Sequence, residues 1–135
     1  NHIKGAMLAS WVSQASFSPP GLSIAVAKDR SVESLLQIGD TFALNILSEK
    51  DFRGPLKRFT KPFAPGEDRF EGLSIKLTPN EQVIIPESLA WLEASVKERM
   101  ECGDHWVIYA EVLHGNLVKS DCLTAVHHRK SGANY

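Results

Sequence analysis

Two cations and a hydroxyl cluster where Lys28–Asp29–Arg30–Ser31 follows the apolar run Leu22–Ala27. Ser31 is a natural N-cap for a short helix ending at Gly39. The free N–H groups of a first helical turn, with Lys28 and Arg30 beside them, make a seat for an anion. An ordinary capped helix with two solvated charges uses the same residues. Lys61, on the loop before Pro62, is a second cation of this kind. Asn45 interrupts the apolar run Thr41–Leu47, and a buried amide must find hydrogen-bond partners, in the backbone or in a ligand. His105 follows Gly103–Asp104 at the head of a β-rich run. Read alone, it ends a hairpin, or makes with Cys102 half of a metal site; two ligands without a second pair carry no metal assignment. The opening segment sets Ser10, Ser13, Gln14 and Ser16 among Trp11, Val12 and Phe17. Such a surface suits a flat ligand with polar edges, not a helix partner or nucleic acid.

Several function classes fall away on composition. The chain has 135 residues, 43% apolar, with a net charge of −1. That is one domain with enough material for a core without disulfide support. Near-neutral charge leaves no electrostatic case for nucleic acid or an anionic membrane surface. No apolar run approaches the roughly 20 residues of a membrane span. Cys102 and Cys122 fit no CxxC motif, and two free thiols suit a reducing, cytoplasmic setting. There is no Rossmann glycine fingerprint, P-loop or nucleophile elbow. A dinucleotide would therefore visit only transiently, and a hydrolase is unsupported.

The elements that must position these residues are mostly strands. Residues 6–17 and 22–27 read as a hairpin reversed at Pro19–Pro20–Gly21. A helix over Ser31–Gly39 and a strand over Thr41–Leu47 follow. Asp51 is a candidate cap for a second helix through Thr60, with Gly54–Pro55 confining its start. Residues 61–70 read as a structured loop, and Leu73–Thr78 as a weakly alternating strand. Leu89–Met100 carries both a helical stripe and a period-two alternation. Cys102–Gly103–Asp104 offers a turn into Trp106–Leu113, and Asn116–Val118 and Leu123–His127 read as last short strands. Seven or so strands with two short helices predict a mostly-β barrel with helices at its ends.

Several blocks resemble a known family. GAMLASWVSQASF at 5–17, PPG then AVAKDR at 25–30, FALNIL at 42–47, KPFAPGEDRF at 61–70, RMECGDHWVIYAEV at 99–112 and TAVHHRKSGANY at 124–135 are similar, in order, to flavin reductase-like domains. The resemblance is strongest to the C-terminal flavin reductase module of cyanobacterial flavodiiron (diflavin) proteins. It implies the FMN-binding split barrel, a Greek-key-type antiparallel barrel with short flanking helices. Family members usually carry a further strand before the Gly–Ala–Met block, so the 1–135 domain reads as lacking its first strand. Ala94 stands where many relatives have Cys.

The resemblance also implies chemistry: FMN, with FAD as the alternative, accepting a hydride from NADPH or NADH. It implies partners as well, namely the nicotinamide dinucleotide, the di-iron and flavodoxin-like domains of a parent protein that reduces oxygen to water, and a second copy in a homodimer. On this reading Leu8, Ala9, Ser10, Trp11 and Val12 border the isoalloxazine, and small Ala9 and Ser10 let the backbone approach it. Ser16 and Phe17 lie towards the ribityl chain, with Asn45 nearby. Lys28, Arg30, Ser31 and Lys61 meet the phosphate, and Tyr135 covers the flavin. His105 sits where the nicotinamide stacks. Arg129, in the basic run His127–Lys130, meets a dinucleotide phosphate or belongs to a solvated or intersubunit tail. A non-catalytic flavin-binding or dimerisation module is the alternative.

Overall fold

A computed structural model describes residues 5–30, 36–61, 64 and 66–126. Its elements are β1 (Val12–Phe17), β2 (Pro20–Ala27), β3 (Thr41–Leu47), α1 (Arg53–Thr60), β4 (Lys76–Leu77), β5 (Val83–Ile84), β6 (Ser88–Cys102) and β7 (His105–Leu117). Five strands form one antiparallel sheet in the order β1-β2-β7-β6-β3, and β4 pairs with β5 in a small hairpin. The expected mostly-β architecture is present.

The sheet holds because alternate residues of its three inner strands point to one side. Leu22, Ile24 and Val26 of β2, Ala94 and Val96 of β6, and Ile108 and Ala110 of β7 are buried in one cluster with Leu36. Fully burying a side chain of Ile or Val size contributes about 1.5–3 kcal/mol. Leu89–Met100 resolves as strand, because residues 88–95 pair with β3 on one side while β6 also pairs with β7 on the other. Two flanking ladders satisfy its backbone better than an isolated helix would, and the helical stripe loses. The β6–β7 reversal takes two residues. Its first, Gly103, has φ of +59°, a conformation open to glycine without a Cβ clash.

Other expectations shift. Residues 5–11 join no ladder, so β1 starts at Val12 and not near residue 6. The first reversal falls on Ser18–Pro19, joined by a cis peptide bond, and Pro20 already pairs with Phe17. Ile38–Gly39 form a turn and Leu36–Gln37 are not helical; Ser31–Leu35 lie outside the described residues. Asp51 does not cap α1. Phe52 holds that position without a side-chain bond, while Asp51 accepts from Ser48 Oγ and from Lys119 Nζ at 2.9 Å. The bonds from Lys119 and Ser48 hold the Asp51 carboxyl below its usual range, and the bond to Asp51 raises the Lys119 ammonium. The strand expected over Leu73–Thr78 shrinks to β4, and Asn116–Leu117 are the end of β7. Of Leu123–His127, only a bridge from Thr124 to Ser48 is seen among the described residues. Cys102 and Cys122 are free thiols. No described helix is long and apolar enough to cross a membrane.

Candidate functional site

The sheet's two edges face each other across a gap. β3 pairs only with β6 among the described residues, and β1 only with β2. The gap opens into a cavity of about 950 Å³, bordered by Gly5–Ser10 and Val12 on one side and by all of β3 on the other. That volume is at the upper end for small-molecule sites. Ile24 and Val26 form its floor, and Phe52, Leu56 and Phe59 of the α1 region close one end.

Segment 5–11 has no ladder to fix it, so side chains do. Arg69 Nη1 donates to the Ala6 carbonyl at 3.0 Å. Arg58 Nη1 donates to the Arg69 and Glu71 carbonyls at 3.2 and 3.1 Å, tying that loop to α1. Downstream, the Ala25 N–H donates to the Trp11 carbonyl at 3.0 Å. Leu8, Ala9, Ser10 and Val12 therefore lie together on the cavity rim. Arg69 was legible only as part of a loop motif; its reach across 63 residues had no sequence signal.

Trp11 packs against His105 at the end of this segment, with ring centroids 4.9 Å apart and planes tilted by 35°. The His105 Nδ1 lies 2.7 Å from Asp104 Oδ1. A carboxylate only accepts, so this nitrogen carries the proton. The bond and the charge of His105 hold the exposed Asp104 carboxyl below its usual range.

Lys28 lies near the same hairpin, because its N–H donates to the Asp104 carbonyl at 2.9 Å. Its ammonium pairs with Glu101 at 3.0 Å and lies 5.5 Å from the Trp106 ring centre. Arg99 lies 4.4 Å from that ring. Lys28 is thus an engaged cation and not a freely solvated one. Arg30 is exposed in the turn after β2.

Other expected residues sit apart. Lys61 borders a separate cleft of about 480 Å³ with Lys57, Glu67 and Glu87. Ser16 and Phe17 occupy the far tip of the β1–β2 hairpin, with Phe17 85% exposed, and neither lines the cavity. Asn45 lines it, but its amide is occupied: Nδ2 donates to the Val83 carbonyl, and Oδ1 accepts from the Ile85 N–H and from Ser88 Oγ. Its partners are two backbone groups and the Ser88 hydroxyl. Ser31, Arg129, Tyr135 and the rest of the His127–Lys130 run lie outside the described residues.

Comparison with known proteins decides the family. The profile of the flavin reductase like domain matches residues 2–133. The chain belongs to the flavin reductase-like family. This flavin reductase-like domain is 55% identical over 133 residues to diflavin flavoprotein A 1 of Synechocystis sp., and 57% identical to putative diflavin flavoprotein A 3 of the same organism. Those matches cover 98% of the domain but only 23% and 22% of the relatives, so it spans under a quarter of their length. Among solved structures, the NADH:FAD oxidoreductase SgcE6 of Streptomyces globisporus C-1027 superposes with a TM-score of 0.78 at 26% identity, covering 87% of this chain and 70% of that one. The flavin reductase HpaC, complexed with NADP+, shares the fold at a TM-score of 0.67 and 19% identity over 88% of this chain and 80% of that one. The split-barrel architecture is therefore shown.

Proposed function

We propose that this domain binds a flavin, FMN or FAD, along Leu8–Val12 and receives a hydride for it from NADPH or NADH beside His105. A bound flavin supplies the hydride acceptor; the chain supplies the seat and the alignment. The observation that carries the reading is the Trp11–His105 contact, with Asp104 orienting the imidazole, at the end of a segment that borders an apolar cavity. Ala9 and Ser10 are small and exposed, so a planar ring can reach the backbone there. Lys28 and Arg30 lie at the same end of β2, with Ser31 next in sequence, and meet the phosphate; Lys28 exchanges part of its Glu101 pairing to do so. The imidazole of His105 then hydrogen-bonds the dinucleotide and holds it in place. The family resemblance extends the reading to Tyr135 on the flavin and Arg129 on a dinucleotide phosphate, and Lys61 contributes least.

The relatives are far longer than this chain. By the family resemblance, we propose that electrons continue to flavodoxin-like and di-iron partner domains, where oxygen is reduced to water, in the cytoplasm. Exposed Phe17, Met100, Leu113 and Leu117 are available to a homodimer contact.

The gap along β3 favours a second reading. A domain whose β3 has no second ladder among the described residues could serve as a flavin-binding or dimerisation module without turnover. One experiment separates the two. The purified domain is loaded with FMN and titrated anaerobically with NADPH and with NADH. Yellow protein that bleaches supports the reductase, yellow protein that does not bleach supports the binding module, and failure to take up flavin removes both flavin readings.

A further inference from the structure

Among the described residues, one charged side chain is fully buried, and it plays no part in the reading above. Glu93 of β6 has no exposed surface. Isolated burial of a carboxylate is prohibitive, so it must be compensated. Here it accepts from the Thr78 hydroxyl, from Asn80 Nδ2 at 2.8 Å and from His114 Nε2 at 2.6 Å. Two of these donors belong to the loop between β4 and β5. The hairpin's own sheet has only two residues on each strand, too few to hold it in place alone.

The contacts continue towards the cavity. Thr78 Oγ1, while donating to Glu93, accepts from the Gln82 N–H at 2.9 Å, and the Thr78 N–H donates to the Gln82 carbonyl at 2.8 Å. Gln82 Nε2 donates to Thr41 Oγ1 at 3.1 Å, and Gln82, Thr41, Val83 and Ile85 all line the cavity. Glu81, at the loop tip, holds a φ of +63°. A residue with a Cβ adopts that conformation only when its surroundings impose it.

We infer that Glu93 is a positioning residue: its carboxylate pins the β4–β5 hairpin to the sheet and thereby sets the Gln82–Ile85 wall of the cavity for its ligand. The ligand part rests on the proposal that flavin binds at that cavity. Glu93 touches no substrate and acts only through Thr78 and Asn80.

The test compares the wild-type domain with Glu93→Gln, Thr78→Val and Thr78→Ser by amide hydrogen exchange and by FMN affinity from quenching of flavin fluorescence. Glu93→Gln keeps the shape but turns an NH₂ towards donors. It is expected to speed exchange at Gln82 and Ile85 about tenfold and to weaken FMN binding about tenfold, the scale of one lost bond to a charged group. The kcat at saturating FMN stays near wild type, and β2 and β7 keep their protection. Thr78→Val repeats the effect and Thr78→Ser, which retains the hydroxyl, restores wild-type behaviour. If Glu93→Gln does not fold, the two Thr78 variants carry the test. Wild-type exchange and affinity in Glu93→Gln would overturn the inference, as would exchange accelerated uniformly over the sheet. If the wild-type chain takes up no FMN, the functional proposal fails separately, and the exchange pattern alone upholds or overturns the pinning.

Discussion

Asp104 and Asn45 show how a side chain's partners decide its work. Asp104 holds the His105 ring against Trp11 by one bond of 2.7 Å. Replacing His105 with Ala should lower the rate of NADPH-driven flavin reduction by about tenfold or more, because a loosened dinucleotide loses alignment. FMN affinity should change far less. Stopped-flow bleaching beside an FMN titration reads both, and an unaltered rate would remove His105 from the site. Asn45 makes the opposite case. Its carboxamide satisfies the Ile85 N–H and Ser88 hydroxyl, which Asn45→Ala would strand. A loss of about 2 kcal/mol in urea unfolding is expected, with FMN affinity, corrected for the unfolded fraction, nearly unchanged.

At the level of elements, the β6–β7 hairpin is the spine on which both sides of the site are built. It pairs with β2 and β3 and carries His105 at its turn. Two glycines let neighbours approach closely. A Cβ on Gly115 would lie 2.6 Å from the Trp91 carbonyl, so the strand itself must shift. One on Gly21 would meet the Tyr109 ring at 2.7 Å, and that side chain can swing aside. Gly115→Ala should therefore cost about 1–3 kcal/mol, by analogy with overpacking, and Gly21→Ala less. Thermal or urea unfolding of the two variants ranks them, and a reversed order would contradict the stated contacts. Neither contact was visible in sequence, since each joins residues on different strands.

For the whole molecule, the buried carboxylate couples folding to pH. Burial raises the Glu93 pKa, but the hydrogen bonds from Thr78, Asn80 and His114 outweigh it and leave the group below its ordinary value. The folded state then resists protonation more than the unfolded chain does. Its contribution is present above the ordinary glutamate range and is lost as pH falls through that range towards the folded value. The urea midpoint should fall on acidification from neutrality through that window. Glu93→Gln should start lower and fall less steeply, and parallel curves would show that other groups carry the acid response. Asp51 and Asp104 also have lowered pKa values, but both are exposed, and solvent screens their share.

Local chemistry alone marked out much of this domain. Alternation, β-branched runs and a glycine-led turn specify β2, β3, β7 and the last reversal, because each depends on residues close in sequence. The His105 neighbourhood and the Leu8–Val12 segment were singled out by the family blocks and not by local pattern. Tertiary structure decided the rest. Leu89–Met100 became strand because two neighbours offered ladders. Lys28 found Glu101, Asp51 found Lys119 instead of a helix end, and Arg69 found Ala6. Glu93 alternates like a solvent-facing residue, yet the β4–β5 hairpin covers it. Propensity acts over a few residues, whereas burial, ion pairing and hydrogen-bond satisfaction depend on which distant segments the fold brings into contact.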